Sequence, residues 1–504
     1  MSFGTDENQS VSGSDSPAHD VPLGDTVEVS DELYEKILRQ VQDLHESVSA
    51  ELKGESLVEG SRSDSGNDPI APASLEESGL SLGLIADLAV KLLYLNGTLT
   101  GFEIARHLKL PFSVLQPSLD FLKSERCLDV PSGEMVGPLS YRYHLTEYGR
   151  TRAREAFDDC RYVGPAPVSL SSYEAICRRQ APRGLQLSES ALTDSLKGLV
   201  VDRSLLQRLG PALCGGQAIY LYGPPGSGKT VLARALGRMF HEAGGEISLP
   251  YAVAVDHQII ALFDPSIHRP AAIEQPQDHA HDHELSTSSL IRSDDERDLR
   301  WRKVRRPVVI VGGELTLEML ELKFHESSGY YSAPLHMKAN GGIFLIDDFG
   351  RQLVAPQRLL NRWILPLEER TDYLTLATGK KFAIPFEQLT LFSSNLSPHQ
   401  LSDDAFLRRI RHKIGITPPT EKQYREIFKA ECERRAMKYD DWLVTRLLSQ
   451  CYNPQISPKR SDPRDLLEVL DSICRFRGVK PHLSEKILFE AYGECLGTPP
   501  GAEE

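Results

Sequence analysis

The stretch 218–237, AIYLYGPPGSGKTVLARALG, decides the fold. Ala218–Tyr222 is an unbroken apolar run of strand length, and from Thr230 to Met239 the apolar residues return at helical spacing. Between them lie Gly223, Pro224, Pro225, Gly226, Ser227, Gly228, Lys229 and Thr230. A strand, a glycine-rich turn and a helix in immediate succession bring backbone N–H groups to a focus. The glycines let the chain approach an anion closely, and the helix start adds the positive end of its dipole. The loop residues through Val231 are therefore expected to cradle phosphates. Lys229 is placed to bridge the β- and γ-phosphates, and the Thr230 hydroxyl to ligate Mg2+.

A second stretch, GGIFLIDDFG at 341–350, gives the loop a partner. Ile343 to Ile346 is a buried-strand pattern, and two carboxylates follow at its C-terminal end, where ligands gather in open α/β sheets. Alone, an apolar run ending in Asp-Asp is often just a strand entering a turn. Downstream of a phosphate loop it reads as a metal carboxylate, Asp347, followed by a general base, Asp348.

Composition sets the wider frame. A chain of 504 residues has room for two to four domains. The start, MSFGTDENQS, lacks the basic and apolar stretches of a secretory leader, and no run reaches membrane-spanning length. The eight cysteines are scattered without a Cys-x-x-Cys pair, as expected of reduced thiols in a cytoplasmic protein. The net charge of −14 lies wholly in residues 1–78, which hold 18 acidic and 4 basic residues, so the remainder is neutral. A protein that coats nucleic acid would be basic overall.

Residues 1–78 read as a disordered acidic tail carrying one short amphipathic helix, with Leu33, Ile37, Val41, Leu44, Val48 and Leu52 on one face. Residues 79–155 read as a small domain: helices over Leu82 to Leu95, Thr100 to Leu108 and Ser113 to Ser124, then two strands around a turn at Pro131 to Gly137. This order, followed by LTEYGRTRAREAF, resembles the winged-helix fold of bacterial regulators, whose third helix enters the DNA major groove. Here that helix offers Ser113, Gln116 and Ser118 to bases but only Lys123, with Arg126 just past it, to phosphates. Protein docking is the favoured role and DNA binding the alternative. Residues 165–415 alternate strand and helix patterns, and 420–497 contain helical patterns only.

The later motifs allow a family comparison. LTLFSSNLSP (389–398), a strand ending in Asn395, resembles sensor 1 of the AAA+ superfamily, and LSDDAFLRRIRHKI (401–414) resembles its arginine-finger segment. SDPRDLLEVL (461–470) resembles sensor 2, and KGLVVDRSLL (197–206) the segment lining the adenine pocket. The resemblance implies an α/β core with a parallel sheet and a C-terminal all-α lid, binding ATP and Mg2+. It assigns Asn395 to positioning the lytic water, Arg464 to the γ-phosphate, and Arg409 or Arg408 to the site of a neighbouring subunit. Leu199, Val200 and Val201 would contact the base. The expected activity is ATP hydrolysis by a ring, a hexamer by resemblance, that remodels a partner protein. The alternatives are a nucleotide-dependent DNA-binding regulator and a scaffold with little hydrolysis.

Two departures from that pattern stand out. The second carboxylate is usually Glu, and Asp348 is one methylene shorter. Also, 117 residues separate Lys229 from Asp347, an excess expected to include a polar insertion at about 264–305 that ends in RSDDERDLRWRKVRR. With MKANGGIFLID it weakly resembles MoxR-type branches. His279, His281 and His283 could share one face of an extended chain as metal ligands, although a solvated loop is the commoner meaning. Trp301 among arginines reads as a solvated basic turn, and Tyr330-Tyr331 as packing aromatics before pore-loop grips.

Overall fold

The computed structural model describes residues 68–130, 137–185, 187–271, 297–401, 404–453 and 456–497. The amphipathic pattern at 33–52 and the histidine cluster at 279–283 lie outside these residues. Among the described residues, no helix is long and apolar enough to cross a membrane.

The first segment holds α1 (Leu75–Ser78), α2 (Leu82–Asn96), β1 (Leu99–Thr100), α3 (Gly101–Leu108), α4 (Phe112–Ser124), β2 (Leu128–Asp129), β3 (Arg142–Leu145) and α5 (Glu147–Asp159). β3 lies antiparallel between β1 and β2. Side-chain caps start several of these helices: Ser81 caps α2, and Thr100 with Glu103 forms a full capping box on α3. Ser118 does not face solvent as its proposed base contact requires. It is fully buried and donates to the Leu82 carbonyl at 3.2 Å, because the helix turns that face onto α2.

The predicted disorder also stops short of residue 78. Ile70 bridges Arg297, the Asp298 N–H donates to the Pro69 carbonyl, and Lys303 pairs with Asp68, so 68–70 are held by partners distant in sequence.

Next come β4 (Val168–Ser169), α6 (Leu170–Arg179), α7 (Glu189–Ser195), α8 (Arg203–Cys214), β5 (Ala218–Tyr222), α9 (Lys229–Ala243), β6 (Glu246–Pro250), β7 (Ala252–Val255), β8 (Gln258–Ala261), β9 (Trp301–Arg305), β10 (Val308–Val311), β11 (Lys323–His325) and β12 (Tyr330–Ser332). They are followed by α10 (Leu335–Lys338), β13 (Ile343–Phe349), α11 (Pro356–Glu369), β14 (Thr371–Thr375), β15 (Lys381–Pro385), β16 (Leu389–Ser394), α12 (Asp404–Arg409) and β17 (His412–Gly415). The main sheet is parallel throughout, in the order β10-β13-β16-β5-β17. α7, α8 and α9 pack on one face, against Ile219, Leu221, Leu345 and Leu391. Trp363 and its helix α11 pack on the other, against Phe344 and Phe392. Burial on both faces explains why these strands read as continuous apolar runs.

Residues 272–296 of the insertion expected at about 264–305 lie outside the described residues, and the rest of the long separation between the two motifs is structured. Much of it builds a second sheet, β11-β12-β8-β7-β4, beside the antiparallel pair β6–β9 and the hairpin β14–β15. Trp301 is buried in β9 among Ile247, Leu249 and Val304 and is not part of a solvated turn. Two of the neighbouring cations are satisfied internally. Buried Arg300 pairs with Asp298 at 2.8 Å. Buried Arg306 donates to the carbonyls of Gly244, Gln180 and Gly341, and burial pulls its pKa down to about 10. Gly244 and Gln180 end α9 and α6, so helix-dipole termini take the place of a carboxylate. Tyr331 is buried in β12, and Tyr330 meets Tyr162 edge-on, so neither forms an exposed grip.

The chain ends in four helices, α13 (Glu421–Arg434), α14 (Asp441–Cys451), α15 (Asp462–Phe476) and α16 (Glu485–Leu496), around Tyr424, Phe428, Leu447, Leu467 and Leu488.

Candidate functional site

At the C-terminal end of β5, the two strands beside it, β16 and β17, both come from later in the chain. The crevice they leave is where an open α/β sheet collects ligands. Gly226 and Gly228 carry φ of +76° and +87°, a backbone that a side chain rarely adopts. A Cβ on Gly226 would lie 2.7 Å from Ser461 Oγ, so glycine also lets the helical end of the chain come down onto the loop.

Lys229 is buried, and its ammonium donates to the carbonyls of Gly223 (2.9 Å) and Pro224 (3.0 Å), to Ser227 Oγ (3.3 Å) and to Asn395 Oδ1 (2.8 Å). Burial pushes its pKa down, while Asp348 and then Asp347 pull it back up. Thr230 Oγ1 donates to Asp347 Oδ1 at 3.0 Å. Asn395 Nδ2 points at Asp348 Oδ1 across 3.5 Å, the outer limit of a hydrogen bond.

Strict alternation along β13 would send Asp347 and Asp348 to opposite faces of the sheet. The ladder with β16 is instead irregular between Ile346 and Phe349, and Asp348 takes a left-handed φ of +48°. A bulge of this kind re-aims side chains, and strain at a non-glycine residue persists where the surroundings enforce it. Gln352 supplies that enforcement: it accepts from the Gly350 N–H and donates to the carbonyls of Asp347 and Asp348. Neither the bulge nor Gln352 is announced by the sequence.

A cavity of about 460 Å3 opens from the loop. Leu199, Val200, Val201, Leu205, Ile416 and Ile427 line it with apolar surface. Gly226 to Thr230, Asp348, Asn395, Arg351, Arg460 and Arg464 supply its polar wall. Its size and its mixture of apolar wall and few polar groups suit a small organic ligand. The predicted loop residues, Asp347, Asp348, Asn395 and the 199–201 segment are thus brought together.

The arginines divide. Arg464 borders the cavity, but its guanidinium is held by Asp465 at 2.7 Å. Arg409 is bound by Glu368 at 2.8 Å and does not line the cavity, and Arg408 beside it is exposed.

Residues 420–493 match a family described as a domain of unknown function, DUF8689. No curated protein matches. Among solved structures the chain is similar to a mutant RuvB of Thermotoga maritima, at 12% identity and a TM-score of 0.31, over 62% of this chain and 73% of that one. It is also similar to domain III of the replication initiation protein DnaA of Thermotoga maritima, at 13% identity and a TM-score of 0.34, over 62% and 99%. At such values the site has to be read from its own geometry.

That geometry suits a magnesium-bound nucleoside triphosphate. Gly223, Gly226 and Gly228 all have positive φ, Gly223 and Gly226 have no room for a side chain, and the Lys229 ammonium is held against the same loop. Thr230 and Asp347 already place two hard oxygens side by side, the donor type Mg2+ prefers.

Proposed function

We propose that the chain is an ATP-binding and ATP-hydrolysing protein of the AAA+ type, cytoplasmic, that works as a ring and remodels a partner protein. One observation carries the reading. Lys229, Thr230, Asp347, Asp348 and Asn395, drawn from three separate parts of the sequence, are linked by hydrogen bonds beside one cavity.

Mg2+-ATP, when bound, supplies the reactive phosphorus and the metal charge that polarises it. Thr230 and Asp347 are the residues that would hold the metal. Lys229 exchanges its loop carbonyls for phosphate oxygens. Asp348 and Asn395 orient the attacking water, and Asp348 accepts its proton. Arg464 is released from Asp465 to face the γ-phosphate.

Ring assembly is supported by the position of Arg409, away from the cavity of its own chain on the outer end of α12. It can serve a triphosphate only in another copy.

The module at 79–155 is read as a winged helix used for protein docking. On α4 the exposed charges are Asp120 and Lys123, which cancel, and Ser118 is occupied internally. Such a face gives little phosphate neutralisation, so the DNA-binding alternative draws no support from it.

The deciding experiment is phosphate release and fluorescent ATP retention, each measured against protein concentration with particle size in parallel. The reading expects turnover per chain to rise with assembly. Purified full-length protein that retains no adenine nucleotide would overturn it.

A further inference from the structure

Arg460 lies four residues before Arg464, in the connection between α14 and α15, and none of the roles above uses it. Its side chain lines the cavity between the phosphate loop and Val200. At one end, its Cδ lies 3.6 Å from where a Cβ of Gly228 would be, against the phosphate loop. At the other, its guanidinium donates to the Val200 carbonyl at 2.6 Å, in the apolar part of the cavity. The neighbouring Ser461 N–H donates to the Gly226 carbonyl at 3.1 Å, which seats this segment on the loop.

The surroundings leave that cation incompletely satisfied. Its second terminal nitrogen reaches only the neutral amide oxygen of Gln423, at 3.3 Å. That amide in turn donates to Asp202, so the carboxylate is one group removed. Among the described residues no carboxylate forms an ion pair with Arg460, and its buried Nε has no partner. Burial accordingly pulls its pKa down, with Asp202 compensating in part. A half-buried guanidinium with a spare donor beside a cavity invites an anion.

We infer that Arg460 is a nucleotide-contact residue that binds the α-phosphate, exchanging for it the Val200 carbonyl that it otherwise caps as a latch. The position fixes which phosphate. Lys229 reaches toward Asn395 and the paired aspartates, the end where terminal phosphates belong. Arg460 bridges Gly228 and Val200, the interval that sugar and first phosphate would occupy. Swinging to the phosphate frees the Val200 carbonyl to accept from an exocyclic amine of the base. One movement therefore strengthens both ends of the ligand.

The inference rests on the nucleotide reading above, and a ligand series separates the two. Full-length wild type, Arg460→Met, Arg460→Lys and Arg464→Met are titrated with adenosine, AMP, ADP and ATP by calorimetry. Arg460→Met is expected to weaken AMP, ADP and ATP by a common factor of about ten to a hundred, the range of one charge-assisted contact. Adenosine affinity should be unchanged or improved, and Arg460→Lys should recover part of the loss. Arg464→Met should weaken ATP while sparing AMP. Equal loss for adenosine would assign Arg460 a structural role and overturn the inference, as would unchanged AMP and ADP affinity. Wild type that binds none of the four instead removes the nucleotide reading itself.

Discussion

Lys229→Met keeps the buried stem of the side chain and removes only the ammonium, so it separates structure from function. That ammonium makes four hydrogen-bond contacts, all to neutral acceptors, and burial lowers its pKa, so the cation is held there at a cost. Loss of the bonds and relief of desolvation oppose each other, and the unfolding free energy should change by no more than about 2 kcal/mol. With a triphosphate present the balance differs. Two unit charges about 3 Å apart attract by roughly 5 kcal/mol at an effective dielectric of about 20. Leaving the loop carbonyls and Asn395 gives back about 2 kcal/mol of that. The remaining 3 kcal/mol or so corresponds to roughly 150-fold weaker binding. Titration with fluorescent ATP and urea unfolding of the same preparation measure both quantities. Unchanged ATP affinity in a folded variant would refute the reasoning; a collapse in stability would show that the ammonium serves the loop and not a ligand.

Three further outcomes are expected. Asp348→Asn should keep ATP affinity within about threefold and slow single-turnover phosphate release about 100-fold or more, because it removes the proton acceptor and little binding. Arg409→Ala should leave ATP affinity per chain unchanged while lowering turnover at concentrations where particles assemble, by about 1000-fold if the guanidinium acts across subunits. Asp372 offers a pH test of the fold: burial raises its pKa, but His336 at 2.8 Å and Arg362 outweigh that and hold it at about 2. A depressed carboxylate stabilises the fold above its unfolded pKa of about 4, and that contribution drains away as pH falls toward 2. The difference in urea stability between wild type and Asp372→Asn should thus be about 2 kcal/mol at pH 7 and shrink steadily below pH 4.

The conformation of the glycine turn and the strand that ends in the paired aspartates are legible because they are stated locally. A glycine turn between a strand and a helix states its conformation in consecutive residues, and a four-residue apolar run announces a doubly covered strand. The second sheet was not legible for the opposite reason. Its strands are two to four residues long, and in the pair beside it β9, WRKVR, buries Trp301 and Val304 beneath cations that look solvated. Only their partners make this tolerable: Asp298 for Arg300, two helix ends for Arg306, and the Phe263 ring 5.0 Å beneath Arg302. Residues 68–70 are likewise held by contacts from 297–303, which a compositional reading cannot supply. Arg460 could have been noticed as a second cation in SPKRSDPR, but its placement between the phosphate loop and Val200 is a tertiary fact.

The hydrogen bonds around Asn395 impose an order on the proposed reaction. Its carbonyl oxygen accepts from Lys229 at 2.8 Å, and its amide nitrogen is 3.5 Å from Asp348. While Lys229 holds that oxygen, one of its two acceptor sites is taken and the cation beside it competes with a water. Engagement of the ammonium by phosphate frees that site, so Asn395 is fully available to orient water once the triphosphate is seated. The bulge and the left-handed backbone at Asp348 leave its side chain lining the cavity. Asn395→Ala should then leave ATP affinity unchanged or slightly improved, since Lys229 loses a competing acceptor, while single-turnover hydrolysis falls by about 100-fold. A parallel loss of affinity and rate would instead make Asn395 a simple ligand contact, and the proposed order would not hold.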